Sequence, residues 1–192
     1  MHITENTVAI VLAAGKSERL GEQKALLNCG KYSLIEFIVK RLESLAIKVI
    51  VVTNSYLEKA ISESLKSTKA ILVIPDDVKN RTGNLIAGID VCENPQRILV
   101  VPVDRPGWSL DSIKLLLNMN ETSCPEYDGK GGHPLLICKK DIDILTKSAK
   151  DTPLNSMFNT TKIKVNDPNL HLNIDTQEDI ILLKKFIDDI ES

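Results

Sequence analysis

Residues 8–27 read Val-Ala-Ile-Val-Leu-Ala-Ala-Gly-Lys-Ser-Glu-Arg-Leu-Gly-Glu-Gln-Lys-Ala-Leu-Leu. The first six are an unbroken apolar run, which predicts a strand buried on both faces, as in a parallel sheet. Residues 16–27 turn polar and glycine-punctuated, so a loop follows the strand. Ala13, Ala14 and Gly15 are small enough for a ligand to approach the backbone closely. Successive N–H groups in a tight turn form an anion-binding concavity, and Arg19 and Lys24 bring positive charge suited to phosphates. No G-K-[ST] closes the loop and no G-x-G-x-x-G is present, so neither common phosphate-loop pattern applies. The competing reading is a solvated loop with incidental Lys and Arg.

Outward from this stretch, apolar runs and helical spacings alternate. Residues 48–53, 70–74 and 98–103 read as further buried strands. Residues 33–44 have helical spacing, with Ser33 and Glu36 forming a capping box; residues 57–65, 84–92 and 109–118 also read as helices. Residues 75–83 read as a loop. Residues 124–133 contain Pro, Asp and three glycines and read as an irregular connection. A short strand at 134–138, a helix near 139–148 and a strand at 161–165 follow. The last helix, 176–190, places Ile180, Leu183, Phe186, Ile187 and Ile190 inward. The alternation predicts a single domain over 1–192: an α/β, three-layer, Rossmann-like, mostly parallel sheet with right-handed crossovers. Ligands of such sheets lie beyond the C-terminal ends of the strands.

Composition narrows the partners. The 192 residues carry 24 basic and 26 acidic side chains, which argues against a nucleic-acid or membrane partner and leaves phosphate binding to a few placed groups. Cys29, Cys92, Cys124 and Cys138 have no C-x-x-C spacing, which points to reduced thiols and a cytoplasmic setting. No stretch approaches ~20 apolar residues, and the opening MHITEN has no Lys or Arg, so neither a membrane span nor a signal peptide is expected.

Residues 12–27 resemble the signature LAAGxSxRMGxxKxLL of the MobA-like nucleotidyltransferases, with Leu20 at the usual Met. The resemblance implies a fold of the nucleotide-diphospho-sugar transferase type. It also implies that Leu12, Ala13, Ala14 and Gly15 lie under base and ribose while Arg19 and Lys24 hold the triphosphate. Residues 102–106, Pro-Val-Asp-Arg-Pro, resemble the family's A-D-M-P, with Arg105 at the Met position. From the residues alone Asp104 is a turn or cap residue or a hard-cation ligand; the resemblance makes it a ligand of Mg2+. Residues 171–179 resemble D-I-D-T-P-E-D and make Asp175 a second metal contact. Asn173 and Gln177 depart from that pattern, and Asp175 with Glu178 also reads as the cap of the last helix.

Residues 127–134 resemble the G-x-x-G-H-P segment of the molybdenum cofactor cytidylyltransferase branch. That implies acceptor contacts at Gly132 and His133, with Gly129, Gly131 and Gly132 permitting positive φ and close ligand approach; a structural His before Pro is the bland alternative. Residues 80–84 match a further family region loosely and offer Thr82, Gly83 and Asn84 at a helix start as base or ribose contacts. Family members that use GTP read L-A-G-G, so Ala14 favours CTP. The implied activity is transfer of a nucleoside monophosphate from a nucleoside triphosphate to molybdopterin, with release of pyrophosphate and a molybdenum hydroxylase apoenzyme as recipient of the product. Alternatives are a GTP-using guanylyltransferase, a sugar- or alcohol-phosphate nucleotidyltransferase, and a non-catalytic nucleotide-binding or cofactor-chaperone module.

Overall fold

The computed structural model describes residues 6–15, 20–76 and 80–191. Its elements are β1 (Thr7–Leu12), β2 (Asn28–Cys29), β3 (Tyr32–Ser33), α1 (Leu34–Glu43), β4 (Lys48–Val52), α2 (Glu58–Ser64), β5 (Ile71–Val73), α3 (Arg81–Asp90), β6 (Arg97–Pro102), α4 (Leu110–Leu117), β7 (Ser123–Tyr127), β8 (Lys130–Gly131), β9 (Leu135–Cys138), α5 (Lys139–Leu145), β10 (Thr161–Lys164) and α6 (Gln177–Glu191). The main sheet runs β10-β7-β9-β6-β1-β4-β5, with β8 paired to β7. β1 lies parallel between β6 and β4, while β9 runs antiparallel to both β6 and β7. The sheet is therefore mostly parallel, as the alternation predicts.

Side chains alternate between its two faces. Ala9, Val11, Val49, Val51, Leu99 and Val101 join a cluster with buried residues of α1, α2, α4 and α6. Ile10, Ile50, Val52, Ile98, Val100 and Ile137 join a second cluster with α3 and α5. Burial on both faces is why these strands read as continuous apolar runs. Gly88 lets α3 lie close on the sheet: a Cβ there would come within 2.8 Å of the Ile10 side chain and 2.9 Å of Val52. That contact seats α3 against β1 and β4.

Several expectations are corrected. Residues 123–127 are strand, not irregular connection; Pro125 inside the run hid it. β7 turns into β8 through Asp128 and Gly129, both at positive φ. Helix α3 begins at Arg81, earlier than read, because the Asn80 side chain accepts a 2.7 Å hydrogen bond from Gly83 N–H. A small β2–β3 hairpin closes the loop after residue 27 and went unread. Ile190 is 45% exposed, so the inward stripe of α6 ends at Ile187. The cap of α6 is Thr176 with Asp179, not Asp175 with Glu178: the Asp179 carboxylate accepts from the backbone N–H of Thr176 and of Asp175, at 2.7 and 2.9 Å. All four cysteines are free thiols, and burial pushes Cys29 up to about 12, so it serves as a small apolar side chain. Among the described residues no helix is long and apolar enough to cross a membrane.

Candidate functional site

The loops at the C-terminal ends of β1 and β6 wall a cavity of about 210 Å³, lined among others by Ala13, Gly15, Lys24, Asn84 and Asp104. The β1 end is built first. Ala13 N–H continues the ladder to Val52 C=O at 2.8 Å. Thr53, just past β4, donates its hydroxyl to Ala13 C=O, and Asn54 donates its amide to Ala14 C=O. The loop's carbonyls are thereby turned toward β4. A Cβ on Gly15 would meet nothing within 4 Å, so that residue faces open space in the cavity wall. Arg19 lies outside the described residues.

Two carboxylates converge on one ammonium. Lys24 Nζ is 2.5 Å from Asp175 Oδ1 and 3.6 Å from Asp104 Oδ2. The backbone brings the two acids together, because Ile174 N–H donates to Asp104 C=O at 2.9 Å and zips residues 173–175 onto the loop after β6. Since Thr176 and Asp179 cap α6, the Asp175 carboxylate is left to face the site. Asn173 donates its amide to the other oxygen of Asp175. The departure from an acid at this position thus replaces a repulsion by a hydrogen bond that orients Asp175. The departure at Gln177 is also used: its amide donates to Leu20 C=O at 3.0 Å and tethers the far end of the first loop to the start of α6.

The loop after Asp104 is pinned from beneath. Arg41 of α1 donates to Pro106 C=O at 3.3 Å and Trp108 C=O at 2.5 Å, and its guanidinium lies 4.2 Å from the centroid of the buried Trp108 ring. Burial pushes Arg41 down to about 10, with Asp167 opposing, so it stays charged at neutral pH. Asp167 in turn accepts from Ser109 N–H.

The remaining sequence candidates divide between two places. Asn84 lines the first cavity; it is a buried amide whose Oδ1 has no partner among the described residues, leaving an acceptor for a ligand donor. Thr82 lines a second cavity of about 510 Å³ and donates to Thr152 C=O. Gly83 lines neither. His133 lines the second cavity. Burial, then the charges of Arg105 and Arg81, push His133 down to about 4, so it is neutral at pH 7. Gly132 is not free for ligand approach, since a Cβ there would meet the Leu170 side chain at 2.7 Å.

Thr53, Asn54, Asn80, Arg81 and Arg41 escaped the sequence reading. Asn54 directly follows a predicted strand, the same signal that singled out Asp104, while Thr53 was read as the last residue of that strand. Arg81 and Asn80 were visible only as loop residues before a helix, and nothing local marks Arg41.

Fit to a metal rests on the donor set. Among the described residues no group of three or more His, Cys, Asp or Glu side chains is placed to hold an ion. Asp104 and Asp175, already gathered around one positive charge, suit a cation that takes one or two carboxylates and fills its shell with phosphate oxygens and water, as magnesium does.

The family described as "MobA-like NTP transferase domain" matches residues 9–165. A probable molybdenum cofactor guanylyltransferase of Bacillus mycoides is 29% identical over 124 residues, 62% of this chain and 58% of the relative. The chain therefore spans less than two thirds of that relative's length. The molybdenum cofactor cytidylyltransferase of Escherichia coli is 21% identical over 183 residues, 92% of this chain and 94% of the relative. Among solved structures, a nucleotidyl transferase from Methanothermobacter superposes with TM-score 0.80 at 19% identity, covering 97% of this chain and 99% of that one. A Mycobacterium tuberculosis protein solved as a complex with manganese superposes with TM-score 0.78 at 16% identity, covering 94% and 98%. The α/β fold is that of nucleotidyltransferases of the nucleotide-diphospho-sugar transferase type.

Proposed function

The chain belongs to the MobA-like NTP transferase family, and from this premise we propose that its 192 residues act as one magnesium-dependent nucleotidyltransferase that moves CMP from CTP to molybdopterin. The observation that carries this reading is Lys24 held between Asp104 and Asp175 at the mouth of a small-residue loop. In the reaction an oxygen of the acceptor phosphate forms a bond to the α-phosphorus. The bond between that phosphorus and the α–β bridging oxygen breaks, and the electron pair leaves on pyrophosphate. The acceptor phosphate is already an anion, so no general base is needed. Positioning and charge neutralisation carry the rate.

Each group has a place in that scheme. Ala13, Ala14 and Gly15 take the nucleoside side, with Leu12 beneath, and Asn84 meets a donor on base or ribose. Lys24, released from its carboxylates, moves onto the triphosphate together with Arg19. Asp104 and Asp175 hold the magnesium; when bound, it would neutralise phosphate charge and polarise the α-phosphate. Manganese in a structural neighbour supports a divalent ion. Ala14 and the end-to-end alignment with a cytidylyltransferase favour CTP. GTP is the second reading, favoured by the higher identity of the Bacillus guanylyltransferase.

The test is pyrophosphate release with Mg2+, molybdopterin and either CTP or GTP. The proposal expects turnover with CTP at least tenfold above GTP. A GTP preference selects the second reading. Tight nucleotide binding without turnover on molybdopterin or on a sugar phosphate would leave a non-catalytic nucleotide-binding module.

A further inference from the structure

The two cavities share Arg81 and Pro102 in their walls, and one segment touches neighbours of both. Residues 167–175 run from the end of β10 to the start of α6 without strand or helix of their own. The segment turns on itself: Leu170 N–H donates to Asp167 C=O at 3.0 Å, and Leu172 N–H to Asn169 C=O at 2.9 Å. It holds the loop after β6 at both ends. The buried Asp167 carboxylate accepts from Ser109 N–H at 2.8 Å, and Ile174 N–H donates to Asp104 C=O at 2.9 Å. Between those bonds the segment rests on two glycines. A Cβ on Gly107 would come within 1.8 Å of the Asn169 carbonyl oxygen, and one on Gly132 within 2.7 Å of Leu170 Cγ. Leu170 is buried there. Beside it, His171 Nε2 lies 2.9 Å from Tyr127 C=O. A carbonyl only accepts, so that ring nitrogen is the donor.

Neither glycine stands at positive φ, so what each supplies is room for a close approach. The missing side chain of Gly132 is taken up by Leu170, not left open to a ligand. Magnesium tolerates little error in the placement of its oxygens, and here the two acids come from separate parts of the chain. One hydrogen bond, from Ile174 to Asp104, fixes a distance. An orientation needs further points of contact, and Gly107, Gly132 and Tyr127 are those points. The chain between Leu170 and Asp175 has little slack, because Leu172 packs at Gly107 and Ile174 is fully buried. Resting on the transferase reading above, we propose that Gly132, Leu170 and His171 are positioning residues. They seat residues 167–175 so that the Asp175 carboxylate stands opposite Asp104. A side chain added at Gly132 is therefore felt at the two acids, not in the second cavity beside it. Misplacing a reacting group by even ~1 Å costs rate steeply, so the seat matters to chemistry although none of its members carries charge into the site.

The first readout needs neither metal nor nucleotide: hydrogen exchange of the Ile174 amide, followed by NMR on the full chain in EDTA. Gly132→Ala should lower its protection about tenfold, while the amides of β4 keep theirs within about threefold and report an intact sheet. Leu170→Ala removes the Cγ that the new methyl would strike. The double variant should therefore match Leu170→Ala alone and exceed Gly132→Ala. His171→Leu, at a partly exposed position, should lower protection about fivefold, and His171→Gln, which keeps a donor, should restore it. The second readout is Mn2+ titrated with saturating CTP: affinity should fall about tenfold in Gly132→Ala and recover in the double variant. In turnover, Gly132→Ala should lower kcat about tenfold and leave KM for molybdopterin within about twofold. Parent-like Ile174 exchange in Gly132→Ala and His171→Leu, or losses that add in the double variant, overturns the proposal. So does a raised KM for molybdopterin at constant kcat and Mn2+ affinity, which would make Gly132 a substrate contact. If Gly132→Ala loses protection throughout the sheet, the His171 pair decides. If the parent binds no Mn2+ with CTP, the metal reading falls, and the exchange arm still decides whether the two glycines seat the segment.

Discussion

The two cavities meet at Arg81 and Pro102 yet treat charge in opposite ways. In the first, the ammonium already has its opposites: Lys24 lies within 3.6 Å of both Asp104 and Asp175. In the second, Arg81 and a neutral His133 share the wall, and the charges of Arg105 and Arg81 act on the ring against the opposing charge of Asp104. A compensated cluster can rest without ligand and exchange partners when one arrives, because the carboxylates are stabilised by the ammonium until a metal and phosphates replace it. The difference suits the first cavity to a ligand that brings both signs of charge, a nucleotide with its metal.

The hardest way to break the first half of this comparison is Asp104→Ala. It removes one of the two carboxylates and leaves the pair of Lys24 with Asp175 in place. Turnover should fall on the order of 10³-fold, comparable to the loss of a preorganised electrostatic group elsewhere. The fold should hold, because Asp104 contributes its backbone carbonyl to the Ile174 N–H and that bond survives in the variant. A variant with normal turnover and a normal melting temperature would show that the acid does not hold the metal.

For the second half the probe is pH. The His133 pKa is near 6.5 in an unfolded chain and about 4 in the folded one. Between those values the unfolded state binds a proton that the native state excludes. Stability is therefore present above pH 6.5, declines as pH falls through the window, and levels off below about 4, with a total on the order of 3 kcal/mol. The groups that act on the ring are Arg105 and Arg81, which lower its pKa, and Asp104, which raises it. Urea unfolding of metal-free protein at pH 7.5, 6, 5 and 4.5 should show this slope, and His133→Gln should flatten it. An identical slope in the variant would mean that the ring is as easily protonated in the fold as out of it.

Between the cavities lies the loop after β6, and Arg41 tests whether its rigidity matters. Met in place of Arg41 keeps the apolar stem but strips the donors from the carbonyls of Pro106 and Trp108 and the cation from the Trp108 face. The cost should be about 2–4 kcal/mol, or roughly 5–10 °C in Tm for a chain of this size. Because the same loop carries Asp104 and Arg105, kcat should fall together with stability even below the melting transition. A stability loss with unchanged kcat would show that Arg41 serves the core alone.

These residues also mark how far the sequence reaches. The strands and the first helix were legible because burial on both faces leaves an apolar run, and a Ser-x-x-Glu cap leaves a signature. Lys24 and Asp104 were legible as candidates because each stands in a loop after a strand, and Asp175 because residues 171–179 resemble the family's pattern. Their convergence was not. It depends on Ile174 N–H reaching Asp104 C=O, a contact across 70 positions that no local pattern encodes. The misread cap shows the same limit in small: two acids near the start of α6 satisfy the pattern, and geometry decides that Asp179, not Glu178, folds back onto the helix. β7 was lost because Pro125 counts against a strand wherever its neighbours are unknown. Arg41 is a lone cation among apolar residues until the loop that it holds is in view.

The smallest expected effect separates tethering from chemistry. Gln177→Ala removes a donor from Leu20 C=O and a weaker contact to Glu22, at 3.0 and 3.4 Å. A single neutral hydrogen bond at a partly exposed site is worth about 1 kcal/mol. Ala at the first position of α6 suits the helix, and the Thr176–Asp179 cap is untouched. What loosens is the far end of the nucleotide loop, so KM for the nucleotide should rise roughly three- to fivefold while kcat stays within twofold. The opposite split, a lower kcat at constant KM, would mean that the tether positions Lys24 for the transition state. The charge-exchanging cavity would then depend on its loop as strictly as on its acids.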